Sequence, residues 1–270
     1  MSRTMKAALC LGVGVGLWRM VDLFVFTDVP TGFSAGGAMW RYGVLLLCVL
    51  AAWAAPLKLE KDAGAALCGA APLCGVFGAV CLCFGLWAPV CLALYGPQLS
   101  GHHVTARREM LSALGLCARG VWFVALGAVC LLTAWRARVG QGECLPALGP
   151  GTAASGALYL HTILRFIEAP ASLHHVQPTV EVLSALCAVV FFAALLRAGS
   201  PEGARARSVC RTGLMAFYFC TCWGLPQLVW QLCTRAEGKT PVLLSLALAV
   251  LGLWGAVAAY GPTARTKQTL

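Results

Sequence analysis

Two stretches of the chain place an arginine three residues ahead of an acid inside an otherwise apolar run: residues 17–23 read LWRMVDL and residues 163–169 read ILRFIEA. At that spacing both side chains project from one face of a helix and can pair. Arg19 with Asp22, Arg165 with Glu168, and Arg119 on a third apolar run make five charges in surroundings fit for lipid. Each costs roughly 2.5–3.5 kcal/mol to insert into a bilayer, so such groups face protein or a water-filled cavity and mark a site until shown otherwise. On the second run His161, Arg165, Glu168, Ser172 and His175 fall within about 60° of one another on a helical wheel, a continuous polar stripe. Arg119 has no acid on its own helix, which leaves one positive charge over. An anionic or carboxylate-bearing solute is therefore the first ligand class to consider, and ion pairs that only dock helices are the competing explanation.

Other chemistry is thinner. His102 with His103, and His174 with His175, would lie in connections on one side of the membrane, where imidazole and carboxylate could take a divalent metal. No HExxH or comparable spacing accompanies them, so no metal is assigned and these four are only weak ligands. Cys81-x-Cys83 and Cys220-x-Cys222 invite a redox reading, but helical neighbours at i and i+2 point about 200° apart and cannot bridge. No serine, acid and histidine stand at a catalytic spacing. The sequence thus assigns no cofactor, and an enzyme is the reading with least behind it.

The helices needed to hold these groups can be read from composition. Of 270 residues 60% are hydrophobic and 11% charged, against roughly 25% charged in soluble folds. A soluble core cannot hide that much apolar surface, and the expected class is an all-α, polytopic membrane helix bundle. With about 20 apolar residues needed per crossing, eight runs can be counted: 7–27, 42–57, 72–95, 110–135, 154–172, 178–196, 211–233 and 241–260. The second is short and the fifth is polar. Residues 1–6 are basic like the start of a signal peptide, but Arg19 and Asp22 interrupt the apolar run after them and no small-x-small cleavage site appears, so a retained first span is expected. Arg19 and Arg165 each lie about twelve residues into their runs, roughly 18 Å, which predicts one mid-membrane layer for all five charges. Gly12 and Gly16 precede Arg19 on the same face and predict a closely packed cover.

Under eight spans, twelve Lys and Arg fall on one side and five, Arg41, Arg107, Arg108, Arg235 and Lys239, on the other. Positive residues are retained in the cytoplasm, so both termini are expected there, in the cell membrane. The net charge of +10 is explained by this topology, and without aromatic interleaving it does not point to nucleic acid. The 15 Cys lie mostly inside apolar runs and read as small hydrophobes.

The halves of the chain resemble each other. Residues 47–57, LCVLAAWAAPL, match 186–196, LCAVVFFAALL, at an offset of 139, and on the same register CLCFGL at 81–86 matches CTCWGL at 220–225. The two Arg-x-x-acid motifs match at an offset of 146, and Gly120-x-Trp122 matches Gly252-x-Trp254 weakly. Two four-helix repeats, 1–140 and 141–270, related in parallel about an axis along the membrane normal, are expected. Pro89 and Pro226 should bend equivalent helices. The leading functional expectation is a permease that binds a small, anionic solute between the first and fifth helices. The alternative is a non-transporting assembly or signalling subunit whose intramembrane ion pairs are structural, with the lipid bilayer and other membrane subunits as its partners.

Overall fold

The structure, a computed structural model, describes residues 3–28, 39–55, 70–95, 103–140, 145–168, 176–200, 206–234 and 241–265, with the backbone alone at 3, 91–95, 103–113, 168 and 261–265. Among the described residues the chain is helical, with no strand. The helices are α1 (Arg3–Phe26), α2 (Met39–Ala54), α3 (Ala71–Tyr95), α4 (His103–Val139), α5 (Leu148–Glu168), α6 (Val176–Ala198), α7 (Ala206–Ala216), a π-helical segment (Phe217–Trp223), α8 (Gly224–Thr234) and α9 (Val242–Arg265). Five of them, α1, α3, α4, α6 and α9, are long and apolar enough to cross a membrane, while α2 is a shorter apolar helix of 16 residues. The outside of the bundle is apolar: Leu17, Val25, Trp53, Val121 and Phe166 are all exposed. Water would not tolerate such a coat, whereas lipid chains fit it. The protein is an integral membrane protein with several crossings.

α7, the π segment and α8 form one path of 11, 7 and 11 residues. Ala216 and Gly224, at the two joins, both hold right-handed helical dihedrals, so the helix is unbroken. Pro226 explains the wide turn. It lacks an N–H and its ring crowds the carbonyl four residues back, and a π turn just upstream absorbs that conflict within a continuous helix. α3, by contrast, is α-helical through Pro89.

Two apolar clusters share the bundle. Around Phe77, Phe123, Phe192 and Trp254 pack α3, α4 and α5; around Met5, Leu45 and Tyr218 pack α1 and α2. α6, the π segment and α9 contribute to both. Accordingly 61% of α6 and of α9 is enclosed over the apolar stretch, against 28% for α1, 39% for α3 and 33% for α4. Second-half helices thus form the centre, and first-half helices flank them.

Small residues set the closest approaches, as expected where lipid supplies no hydrophobic drive between helices. A Cβ on Gly78 would stand 2.9 Å from the carbonyl oxygen of Gly127, and one on Gly213 would stand 2.6 Å from that of Gly255. On α1, Gly12 meets Phe217 and Tyr218, and Gly16 meets the backbone of Cys222, so the π segment covers the face that leads to Arg19. Tyr218 Oη donates to the Ala8 carbonyl at 2.8 Å and Thr221 Oγ1 to that of Ala249 at 2.8 Å, tying α1 and α9 to the same wide turn.

Candidate functional site

Asp22, near the end of α1, is fully enclosed and serves two guanidiniums. Arg19 pairs with it one turn earlier on α1, as the spacing predicts. Arg41, from the first turn of α2, grips it from across: Nε donates to Oδ2 at 3.0 Å and Nη2 to Oδ1 at 2.5 Å. The topology places Arg41 among the loop charges, yet it is 0% exposed. A two-pronged guanidinium on a carboxylate is the geometry in which a buried pair repays most of its desolvation. Tryptophans close the surroundings: the Arg41 guanidinium stands 4.6 Å from the ring of Trp40, that of Arg19 5.1 Å from Trp223, and Trp18 contacts both rings edge-on.

From Arg19 the polar contacts continue into α6. Arg19 Nη2 donates to Gln177 Oε1 at 3.3 Å, and Gln177 Nε2 donates to Glu181 Oε1 at 3.1 Å. The other carboxylate oxygen of Glu181 lies 3.3 Å from Arg165 Nη1 on α5. The Gln177 amide is oriented by its two neighbours, its oxygen toward a cation and its N–H toward an anion. Arg165 therefore finds its acid on the next helix. Glu168, the partner that spacing suggests, has only its backbone described.

Arg165 and Glu181 line a small polar cavity of about 30 Å³, room for about two water molecules. His161 and Arg165 of α5, Gln177, Glu181 and Ser184 of α6, Gln227 and Gln231 of α8, and Ser245 of α9 give it polar walls. Cys220 of the π segment and Gly224 just after it line it too, and Cys220 Sγ donates to the Ser184 carbonyl at 3.2 Å. On two of the lining residues a buried atom lacks a hydrogen-bond partner among the described residues while the residue carries no charge: His161 Nδ1, on a residue 1% exposed, and Gln227 Oε1, on one 8% exposed. Buried polar atoms are nearly always satisfied, so such exceptions require an account.

The expected layer of five charges takes a different form. Arg19, Asp22, His161, Arg165 and Arg119 are all buried. Arg119 donates through Nε to the Gly115 carbonyl at 3.3 Å, and lies one turn from Phe123, whose ring meets the His161 ring edge-on. Yet α1 packs chiefly on the π segment and α8, and α5 on α6 and α4, so the start of α6 stands between the two arginine motifs. Among the described residues Arg165 stands three from the last residue of α5, Glu181 five from the first of α6 and Arg41 two from the first of α2. His102, His174, His175 and Ser172 lie outside the described residues, and His103 opens α4 with its backbone alone. Among the described residues no cluster of His, Cys, Asp or Glu suits a metal ion.

Sequence reasoning missed Arg41, Gln177, Gln227 and Gln231 as site residues, and considered Glu181 only as a carboxylate near the histidine pairs. One signal was present for Glu181: the offset of 139 sets it opposite Tyr42, next to Arg41, at the start of the repeated second helix. Comparison of the chain with protein-family models, with curated proteins and with solved structures found no match.

Proposed function

We propose that this membrane protein binds a small anionic solute in the cavity between α5, α6, α8 and α9, and carries it as a permease. The observation that carries the reading is the cavity wall itself: an enclosed guanidinium, Arg165, beside His161 Nδ1 and Gln227 Oε1, both lacking hydrogen-bond partners among the described residues. A charged group with hydrogen-bonding neutral neighbours is the usual way a small polar ligand is held and oriented. The site moves from the expected contact of the first and fifth helices to the second half of the chain.

The structural reading keeps a place for the other motif. Arg19, Asp22 and Arg41 are walled by Trp18, Trp40 and Trp223 and do not line the cavity, which favours a docking role for α1 on α2. We read the halves as diverged copies of a four-helix unit in an eight-span bundle. The glycine approaches in α3/α4 and in α7/α9, the matching pairs of the two copies, support this. In the orientation set by the basic residues, the cavity opens away from the cytoplasm.

The test is uptake of labelled phosphate and small carboxylates into vesicles holding the full chain. Arg165→Met with Glu181→Met removes both charges together, so the variant should reach normal abundance while uptake falls at least tenfold. Unchanged uptake in that variant, or no uptake of any anion by the parent, would overturn the proposal.

A further inference from the structure

The first turn of α1, the last of α2 and the first of α7 come together at one end of the bundle. Thr4 Oγ1 donates to the Ala55 carbonyl at 3.3 Å and Arg211 Nε to the Trp53 carbonyl at 3.2 Å, so two side chains close the carboxyl end of α2. Other helix ends reach the same level. Cys210 Sγ donates to the Ala259 carbonyl at 3.4 Å, which sets the end of α9 beside the start of α7. Trp254, five residues earlier on α9, has its ring 6.2 Å from that of Phe77, near the start of α3. The end of α4 lies against that start, since a Cβ on Gly75 would stand 3.1 Å from Ala134 Cβ.

Among the residues with described side chains, this end carries Lys6, Arg136, Arg138, Arg197, Arg207 and Arg211 and no acid. The described acids, Asp22, Asp28, Glu109, Glu168 and Glu181, lie toward the opposite ends of their helices. The stretches that join helices here, 56–69, 141–144 and 201–205, bring four acids against three bases, so the excess stays positive. Topology accounts for basic residues gathering at one end. It does not account for the way Arg211 is held.

The Arg211 guanidinium stands 4.6 Å from the ring of Trp53, and that ring is 62% exposed on the outside of the bundle. With Nε fixed on the Trp53 carbonyl, the edge formed by Nη1 and Nη2 remains for an acceptor beyond the described residues. Two N–H groups in a rigid fork match two oxygens of a phosphate. Below Trp53, Leu50 and Leu46 are exposed on the same face of α2, three and seven residues back, which makes an apolar stripe of roughly 10 Å. A tryptophan between a cation and an apolar stripe is placed as interfacial tryptophans are, at the level of lipid headgroups.

We infer that Arg211 and Trp53 hold an anionic phospholipid, its phosphate on the Nη1–Nη2 edge of Arg211 and an acyl chain along Leu50 and Leu46. The surrounding excess of Lys and Arg supplies the preference for a headgroup with net negative charge over a zwitterionic one. In the proposed orientation this end meets the cytoplasmic leaflet, the one that carries anionic lipid.

The experiment is native mass spectrometry of the full chain, released from detergent with equal amounts of phosphatidylglycerol and phosphatidylcholine of identical acyl chains. Phosphatidylglycerol should be retained over phosphatidylcholine by about fivefold, the ratio that one cation near an anionic headgroup is worth. Arg211→Gln should bring the two lipids to parity, whereas Arg138→Gln, elsewhere on the same end, should leave most of the preference. Inorganic phosphate should not displace the lipid, because the acyl chain is part of the contact. Equal retention of both lipids by the parent overturns the inference. So does a preference kept in Arg211→Gln, and equal loss in Arg211→Gln and Arg138→Gln would show diffuse charge instead of a site. Displacement by inorganic phosphate overturns the lipid as the ligand. Should Arg211→Gln fail to fold, a photoreactive phosphatidylglycerol on the parent decides: it should label the stretch from Leu46 to Trp53, and labelling only elsewhere overturns the site.

Discussion

Asp22 carries two guanidiniums, and that makes it the most sensitive single position outside the cavity. Asp22→Asn preserves shape but strands Arg19 and Arg41, and loss of one partner from a buried ionic cluster costs about 3–5 kcal/mol. Thermal unfolding in lipid should show that loss, with abundance falling in parallel. Replacing Arg19, Asp22 and Arg41 together by Met, Leu and Met should recover most of it, because no charge is then left without a partner. A triple variant as unstable as Asp22→Asn would mean that the cluster acts by more than charge balance. The Arg19–Asp22 pair was legible from spacing, since both partners lie on one helix. Arg41 and Glu181 were not, because each opens a helix next to a polar connection, where residue type alone does not tell an interfacial charge from an enclosed one. Only the packing of α2 on α1, and of α6 on α5, decides it.

At the scale of helices, contact rests on missing side chains. Gly213→Val puts a branched side chain where backbone atoms of Gly255 already stand, and overpacking of this kind costs about 1–3 kcal/mol. Gly14→Ala, at a position with nothing within 4 Å, should change stability by less than about 0.5 kcal/mol. Equal effects in a thermal shift assay would show that the α7/α9 approach is not limiting. Each of the eight apolar runs is matched by a helical stretch, with ends moved by several residues, because apolar length signals a helix well and its termini poorly. The π segment could not be read. Seven apolar residues look alike at 3.6 or wider periodicity, and Pro226 hinted at a bend without saying which turn would widen. That turn matters to the site, since a π turn rotates the facing of every residue downstream in the same helix, and Gln227 and Gln231 are the polar residues it re-aims.

For the molecule as a whole, composition gave the membrane and the charges gave an orientation to test. Ser245→Cys, in a chain stripped of the exposed Cys10, Cys83 and Cys233, should react with an impermeant thiol reagent from the side opposite the termini, and bound phosphate should slow that reaction. A reporter fused after Val176 should read as external, and a cytoplasmic signal there would reverse the orientation. The expected repeat called for two equal halves, whereas the second half supplies most of the enclosed centre. The long α4 has a further consequence. Its 37 residues measure about 55 Å, well beyond a hydrocarbon layer of about 30 Å. α4 runs antiparallel to α5, with Trp122 against Gly156 and Gly115 against Leu164, so its first turns run beyond the last described residue of α5. Arg107 and Arg108 belong to those turns. Positive charge on a protein attracts anions in diffusion. The rate of anion capture should therefore slow as ionic strength rises over the Debye range of about 30 to 8 Å, and Arg107→Gln with Arg108→Gln should flatten that dependence in stopped-flow binding while leaving the rate of release unchanged.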